Sequence, residues 1–132
     1  MSNTSDPIDW RHLREFAGIA IDKSYVLSWH FDRATLSVDV DVYLTPEHAF
    51  YEKPRPAEKV CIRPAILEFP CCDRITLTGA RGAASNAQLV TQLGTGAIHG
   101  LCRYDDGPYE ISGVFGTVLI DAERPVLRLR GA

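Results

Sequence analysis

The chain has 132 residues, 45% apolar and 23% charged, with a formal net charge of −3. That size makes one domain, residues 1–132, able to bury roughly two thirds of its unfolded surface. The acidic balance, without any run of Lys and Arg, excludes a general nucleic-acid binder. No apolar run approaches the ~18 residues of a spanning helix, so no membrane partner is expected either.

Residues 1–9 are polar and acidic and lack the order of a secretory signal, which leaves a cytoplasmic location as the default. Residues 1–5 are expected to be frayed. A short N-terminal helix is predicted over residues 6–18, with Asp6 as N-cap, Pro7 at the first helical position and Asp9 in the first turn. Trp10, Leu13 and Phe16 form its apolar stripe at spacings of three, and Gly18 closes it in a left-handed conformation.

A central hairpin over residues 24–44 organises the rest. Tyr25, Leu27, Trp29 and Phe31 alternate with polar residues, as do Leu36, Val38, Val40, Val42 and Leu44, the period of strands with one buried face. A turn at Arg33-Ala34 pairs Phe31 with Leu36, Trp29 with Val38, Leu27 with Val40 and Tyr25 with Val42, all on one side. The opposite face carries Ser28, His30, Asp32, Ser37, Asp39, Asp41 and Tyr43. In this register Ser28 lies opposite Asp39, and His30 lies diagonal to it, within about 7–8 Å. A histidine beside a carboxylate can act as a general base or half a metal site. A solvated face, kept from aggregating by its aspartates, is the simpler reading.

Residues 45–58 carry Pro46, Pro54 and Pro56 and read as a loop. Its length marks either a functional segment or a cover for the sheet. Glu47, His48, Phe50 and Tyr51 mix aromatic anchors with polar groups, as recognition surfaces do. Glu47, His48, Tyr51 and Glu52 can also add ligands near Tyr43, although not at His-Glu-x-x-His spacing. The candidate binding residues are therefore Glu47, His48, Phe50, Tyr51, His30, Asp39, Asp41 and Tyr43, with no catalytic residue assigned.

Residues 59–69 return to strand character, Pro64 marking an edge or a bulge. A short strand follows at 74–78, then a small, polar stretch at 79–86 expected to be mobile, and a strand or helical turn at 88–93. Two more hairpins are predicted. A turn at 105–108 pairs Tyr104 with Tyr109, Cys102 with Ile111 and Ile98 with Phe115. A turn at 122–125 pairs Ile120 with Leu127 and Val118 with Leu129. Val26, Leu101, Val114 and Leu119 fall on outer faces, to be covered or left as a partner surface. The sum is a mainly β protein: an antiparallel meander of about seven or eight strands forming a partly closed barrel or sandwich, with one short N-terminal helix.

Cys61, Cys71, Cys72 and Cys102 lack zinc-site spacing and read as free thiols, so no metal and no cofactor are expected. Gly94-Thr95-Gly96 has no phosphate-loop context, and Ser85 and Ser112 have no nucleophile elbow.

The hairpin followed by Pro46-Glu47-His48, Tyr51, Pro54, Cys61 and Leu67-x-Phe69-Pro70 resembles a group of small, uncharacterised bacterial β-rich proteins over residues 20–70. More loosely, the size and architecture are similar to immunity proteins of bacterial toxin systems. Neither likeness supplies catalytic residues. The expectation is a non-enzymatic interaction protein, inhibitor- or immunity-like, whose sheet face, edge or long loop meets a protein partner or a second copy of the chain. The alternative is a small-molecule binder with a pocket inside the curled sheet, lined by Trp29, Tyr25, Phe115 and Tyr109. An enzyme using His30 and Asp39 ranks third.

Overall fold

A computed structural model describes residues 7–54, 59–79, 85–104 and 107–130. The expected frayed end, the Asp6 cap, most of the stretch expected to be mobile, and the start of the 105–108 turn lie outside the described residues.

Strands β2 (Ile19–Asp32) and β3 (Thr35–Leu44) form the central hairpin. Both turn residues take positive φ, Arg33 at 50° and Ala34 at 59°. This two-residue turn twists as the flanking strands do, which outweighs the strain on two side-chain-bearing residues. Phe31 faces Leu36, Trp29 faces Val38 and Ser28 faces Asp39, as the alternation requires.

The register then departs from strict alternation. Leu27 has no partner, Val26 faces Val40 and Tyr25 faces Asp41. One extra residue exchanges the faces of everything beyond it. Val26 is therefore buried, while Tyr25 and Leu27 are 45% and 48% exposed. The expected pairs Leu27–Val40 and Tyr25–Val42 do not form. A larger irregularity follows, residues 21–24 spanning the gap before Ala20 faces Tyr43 and Ile19 faces Leu44. Ser24 repairs it from inside. Its buried hydroxyl donates to the Ala20 carbonyl at 2.8 Å and accepts the Tyr43 N–H at 3.0 Å. Two backbone groups at the irregularity, the Ala20 carbonyl and the Tyr43 N–H, are thereby satisfied.

The predicted helix over 6–18 is replaced by a two-residue strand, β1 (Ile8–Asp9), and two 3-10 turns at Trp10–His12 and Arg14–Phe16. Apolar spacing of three suits the 3.0-residue repeat of that helix better than the 3.6 of an α-helix. The capping carboxylate is that of Asp9, which accepts the Arg11 N–H at 3.1 Å. Trp10, Leu13 and Phe16 are all buried, and Gly18 takes φ +77° as expected.

The remaining elements are β4 (Cys61–Phe69), β5 (Arg74–Leu77), α1 (Asn86–Val90), β6 (Gly96–Arg103), β7 (Tyr109–Gly113), β8 (Gly116–Asp121) and β9 (Val126–Leu129). The main path of one antiparallel sheet runs β5-β8-β7-β6-β2-β3-β4-β9, with β1 attached to β6. Two meanders, β2-β3-β4 and β6-β7-β8, thus exchange their next strands. The predicted β8–β9 hairpin is absent: Leu127 faces Leu67 of β4, and Ile120 faces Ile75 of β5. The β6–β7 register is slipped by one residue from the predicted one, pairing Leu101 with Ile111 and Cys102 with Glu110. That slip buries Leu101. Of the four apolar residues expected outside, Val114 is exposed, Leu119 is half-buried, and Val26 and Leu101 belong to the core.

The exchange forces the sheet to curl. β4 and β5 stand six places apart, about 29 Å in a flat sheet at ~4.8 Å per strand. The chain from Phe69 to Arg74 can span at most about 17 Å. Asp121 to Val126 spans another six-place gap in the same way. Across the interior, the rings of Phe69 (β4) and Tyr109 (β7) meet edge to face at 5.5 Å. No ladder between described residues joins β5 to β9, so the sheet is curled and open rather than a closed barrel. The β5 edge is capped by α1, where the Asn86 amide accepts the Ile75 N–H and donates to the Asp73 carbonyl.

Pro64, expected at an edge or a bulge, lies instead in an interior strand, one residue past the end of the β4–β9 ladder and in unbroken register with β3. Its carbonyl accepts the Arg130 N–H at 2.8 Å, past the end of β9. In an antiparallel ladder a residue's N–H and C=O point the same way, so the missing donor leaves no gap towards β3.

Candidate functional site

The outer face of β2, β3, β4 and β9 brings together four of the eight candidate residues. Cross-strand rows can be followed directly: Tyr25–Asp41–Pro64, Ser28–Asp39–Ile66–Arg128, and His30–Ser37–Glu68–Val126. Tyr43 heads a further row with Ile62, and the Lys23 ammonium lies 5.1 Å from the centre of its ring.

Asp39 is the hub of this face. Its Oδ2 accepts the Ser28 hydroxyl at 2.6 Å and meets His30 Nε2 at 3.1 Å, while Oδ1 lies 3.6 Å from an Arg130 guanidinium nitrogen. The Ser28 hydrogen bond, aided by His30 and Arg130 and opposed by partial burial, holds the Asp39 carboxyl below its usual range. Neighbouring charges pair in the same way, Arg128 Nε lying 2.8 Å from Glu68.

Serine, histidine and aspartate within hydrogen-bond reach invite comparison with a nucleophilic triad, but the connectivity differs. In a triad the serine and the carboxylate address opposite ring nitrogens. Here Ser28 Oγ at 3.0 Å and Asp39 Oδ2 at 3.1 Å both address Nε2 of His30. The serine gives its proton to the carboxylate instead, leaving no relay through the ring. The cluster is a charged hydrogen-bonding patch on an open sheet.

The loop after β3 holds the other four candidates. Its first turn is tied to the Gly18 carbonyl, which accepts both the backbone N–H and the hydroxyl of Thr45, at 2.9 and 3.1 Å. A Cβ on Gly18 would lie 2.7 Å from the Cα of His48, so the loop closes directly over a glycine backbone. His48 Nδ1 accepts the Phe50 N–H at 3.0 Å, and partial burial lowers the imidazole pKa. Glu47 is exposed, and a hydrogen bond from Thr45 lowers its pKa. Phe50 is 59% exposed, whereas Tyr51 packs against the core.

The two halves do not form one centre. His30 pairs with Ser37 near the Arg33-Ala34 turn, and His48 lies beyond Leu44 at the other end of β3, about 23 Å away along the strand. Among the described residues no group of three or more His, Cys, Asp or Glu side chains is placed to hold a metal ion. Three of the thiols are poorly suited to nucleophilic work. Burial pushes Cys72 up to about 11, burial raises Cys102, and the Glu123 carboxylate raises Cys71.

Tyr25, Leu27, Arg63 and Arg130 belong to these surfaces but were not among the candidates. Alternation places the first two inward, and the bulge at Leu27 reverses them. Nothing local marks the two arginines, because the strand pairing that places them is long-range.

The four residues proposed to line an interior pocket do not converge. Tyr25 is on the outer face, Tyr109 is buried against Phe69, and Trp29 donates to the Gly94 carbonyl at 2.7 Å with Phe115 edge-on at 5.6 Å. Among the described residues no helix is long and apolar enough to cross a membrane. Comparison with protein-family models, curated proteins and solved structures finds no match to the chain.

Proposed function

We propose that this is a non-enzymatic binding protein whose contact surface is the outer face of β2, β3, β4 and β9. The observation that supports it is the bulge at Leu27. It turns two large apolar side chains, Tyr25 and Leu27, out of the core and into solvent beside the Asp39 cluster. Half-buried Ile62 and Ile66 and exposed Val126 share that face. Aromatic and aliphatic anchors ringed by paired charges are the composition of a protein contact surface.

The partner is a protein, and the mode of action is inhibitor- or immunity-like: occupation of another protein's surface, without chemistry. Self-association through the same face is the competing outcome. Two measurements separate them. Sedimentation of the purified chain across concentration reports self-association. Capture from the native cell with wild type and with a Tyr25→Ser/Leu27→Ser variant reports a partner that needs these side chains. A monomer whose partner is lost with the variant supports the reading, and a partner retained by the variant removes this face from consideration.

A further inference from the structure

The main sheet path ends in β5 on one side and β9 on the other, and the two edges are finished differently. On β5 the outward Ile75 N–H is taken by the Asn86 side chain. On β9 the Arg130 N–H bonds to the Pro64 carbonyl, so by alternation Arg130, Arg128 and Val126 turn their backbone groups towards β4. The residues between them, Leu127 and Leu129, therefore aim an N–H and a C=O each away from the sheet. Among the described residues these groups have no hydrogen-bond partner.

A strand edge with unpaired backbone groups is a template for one more strand, and the side chains beside it select which strand. Arg124, Arg128 and Arg130 are 57–70% exposed, whereas the carboxylates that pair with them, of Glu15, Glu68 and Asp39, are 8–28% exposed. The edge thus meets solvent with its guanidiniums, each of which has more donors than one carboxylate uses. The one carboxylate within 122–130, Glu123, belongs to the turn before the strand.

A second copy of the chain does not fit this edge. Like charges directly opposite each other in a ladder are destabilising, and proline has no N–H to give. An antiparallel pair of β9 edges centred on Arg128 sets that residue against its own copy. Centring on Leu129 sets Arg128 against Arg130, and centring on Val126 or Leu127 brings Pro125 into the new ladder. The β5 edge of another molecule is already occupied at Ile75.

We propose that β9 takes up an extended acidic segment of a partner protein as an added antiparallel strand. Such a strand exchanges both backbone bonds with Leu127 and with Leu129. Its residues opposite those leucines share their side of the sheet and are apolar. Its residues opposite Arg128 and Arg130 share the other side and are Asp or Glu. β9 lies three places from β2 in the sheet, so this inference holds or fails separately from the outer-face reading built on Tyr25 and Leu27.

The test is a titration of the ¹⁵N-labelled chain, at about 50 mM salt, with an acetylated and amidated seven-residue peptide of alternating glutamate and valine. Shifts should centre on residues 126–130 and saturate with Kd below about 1 mM. The Leu127 and Leu129 amides should gain protection from hydrogen exchange when the peptide binds. The same peptide with lysine for glutamate, or with N-methylated valines, should bind at least about tenfold more weakly. Arg128→Gln should weaken the acidic peptide by about threefold or more, and Tyr25→Ser/Leu27→Ser should leave its affinity unchanged. The proposal is overturned if the acidic peptide does not saturate with Kd below about 1 mM, if the lysine or N-methylated peptide binds as well, or if Arg128→Gln has no effect.

Discussion

Tyr25 lies directly opposite Asp41 across the central hairpin, not opposite Val42, and the whole character of the outer face follows from that offset. Without the bulge at Leu27, both Tyr25 and Leu27 would point into the interior, and Val26 would face water. The bulge gives the core a valine and the surface a tyrosine and a leucine.

The bulged strand depends on Ser24. Its hydroxyl serves two backbone groups in a site with almost no solvent access. Ser24→Ala should cost about 1–3 kcal/mol, the penalty for leaving buried polar groups unpaired. Urea unfolding checks this, and Ser24→Thr, which keeps the hydroxyl, should recover part of the loss.

Trp29 anchors the inner face of the same hairpin. It is 7% exposed, packs edge-on to Phe115, and donates its indole N–H to the Gly94 carbonyl. Trp29→Ala should destabilise by about 3–5 kcal/mol in urea melts. A loss below about 1 kcal/mol would mean the hairpin is packed with its other face inward.

Much of this architecture can be read from residues alone, and the failures share a cause. Period-two spacing locates the hairpin, and the pairs Phe31–Leu36, Trp29–Val38 and Ser28–Asp39 follow from the turn. The Leu27 bulge escapes because tertiary packing selects it: Leu27 and Val26 are equally apolar, and alternation favours the wrong one. The β6–β7 slip arises similarly, since Leu101 and Cys102 are both plausible core residues. Neighbours in sequence usually pair, which favours β8 as the partner of β9; its real partner, β4, is more than fifty residues away. Spacings of three at Trp10, Leu13 and Phe16 indicated burial correctly and the wrong helix type. At the site, the Ser28–His30–Asp39 group was legible because its parts are local to one hairpin. Arg130 and Arg63 were not, because they arrive through β9 and β4.

The loop over Gly18 predicts a response to mild acid. Burial depresses the His48 pKa, so the neutral imidazole is favoured in the folded chain. A depressed folded value means that this contribution is fully present above the unfolded pKa of about 6.5 and is lost as pH falls through the folded value. Stability should therefore decline below pH ~6.5, and His48→Gln should remove that component of the slope. The histidine titration followed by NMR gives the folded pKa directly; a value above the unfolded one would reverse the sign.

Phe50 and Tyr51 should separate cleanly. Tyr51 packs on the core and Phe50 stands in solvent. Tyr51→Ala should lower the melting temperature by several degrees, as a loss of about 1–2 kcal/mol requires, and Phe50→Ala should change it by about a degree or less. Equal effects from the two would show that the loop is not held in this orientation.

In the proposed function Tyr25 and Leu27 serve binding and not the core. The most direct measurement pairs thermal melting of a Tyr25→Ser/Leu27→Ser variant with its affinity, as purified protein, for the partner captured by wild type. The variant should melt within about 2 °C of wild type and lose at least tenfold in affinity. A fall of several degrees, or an undiminished affinity, would contradict it.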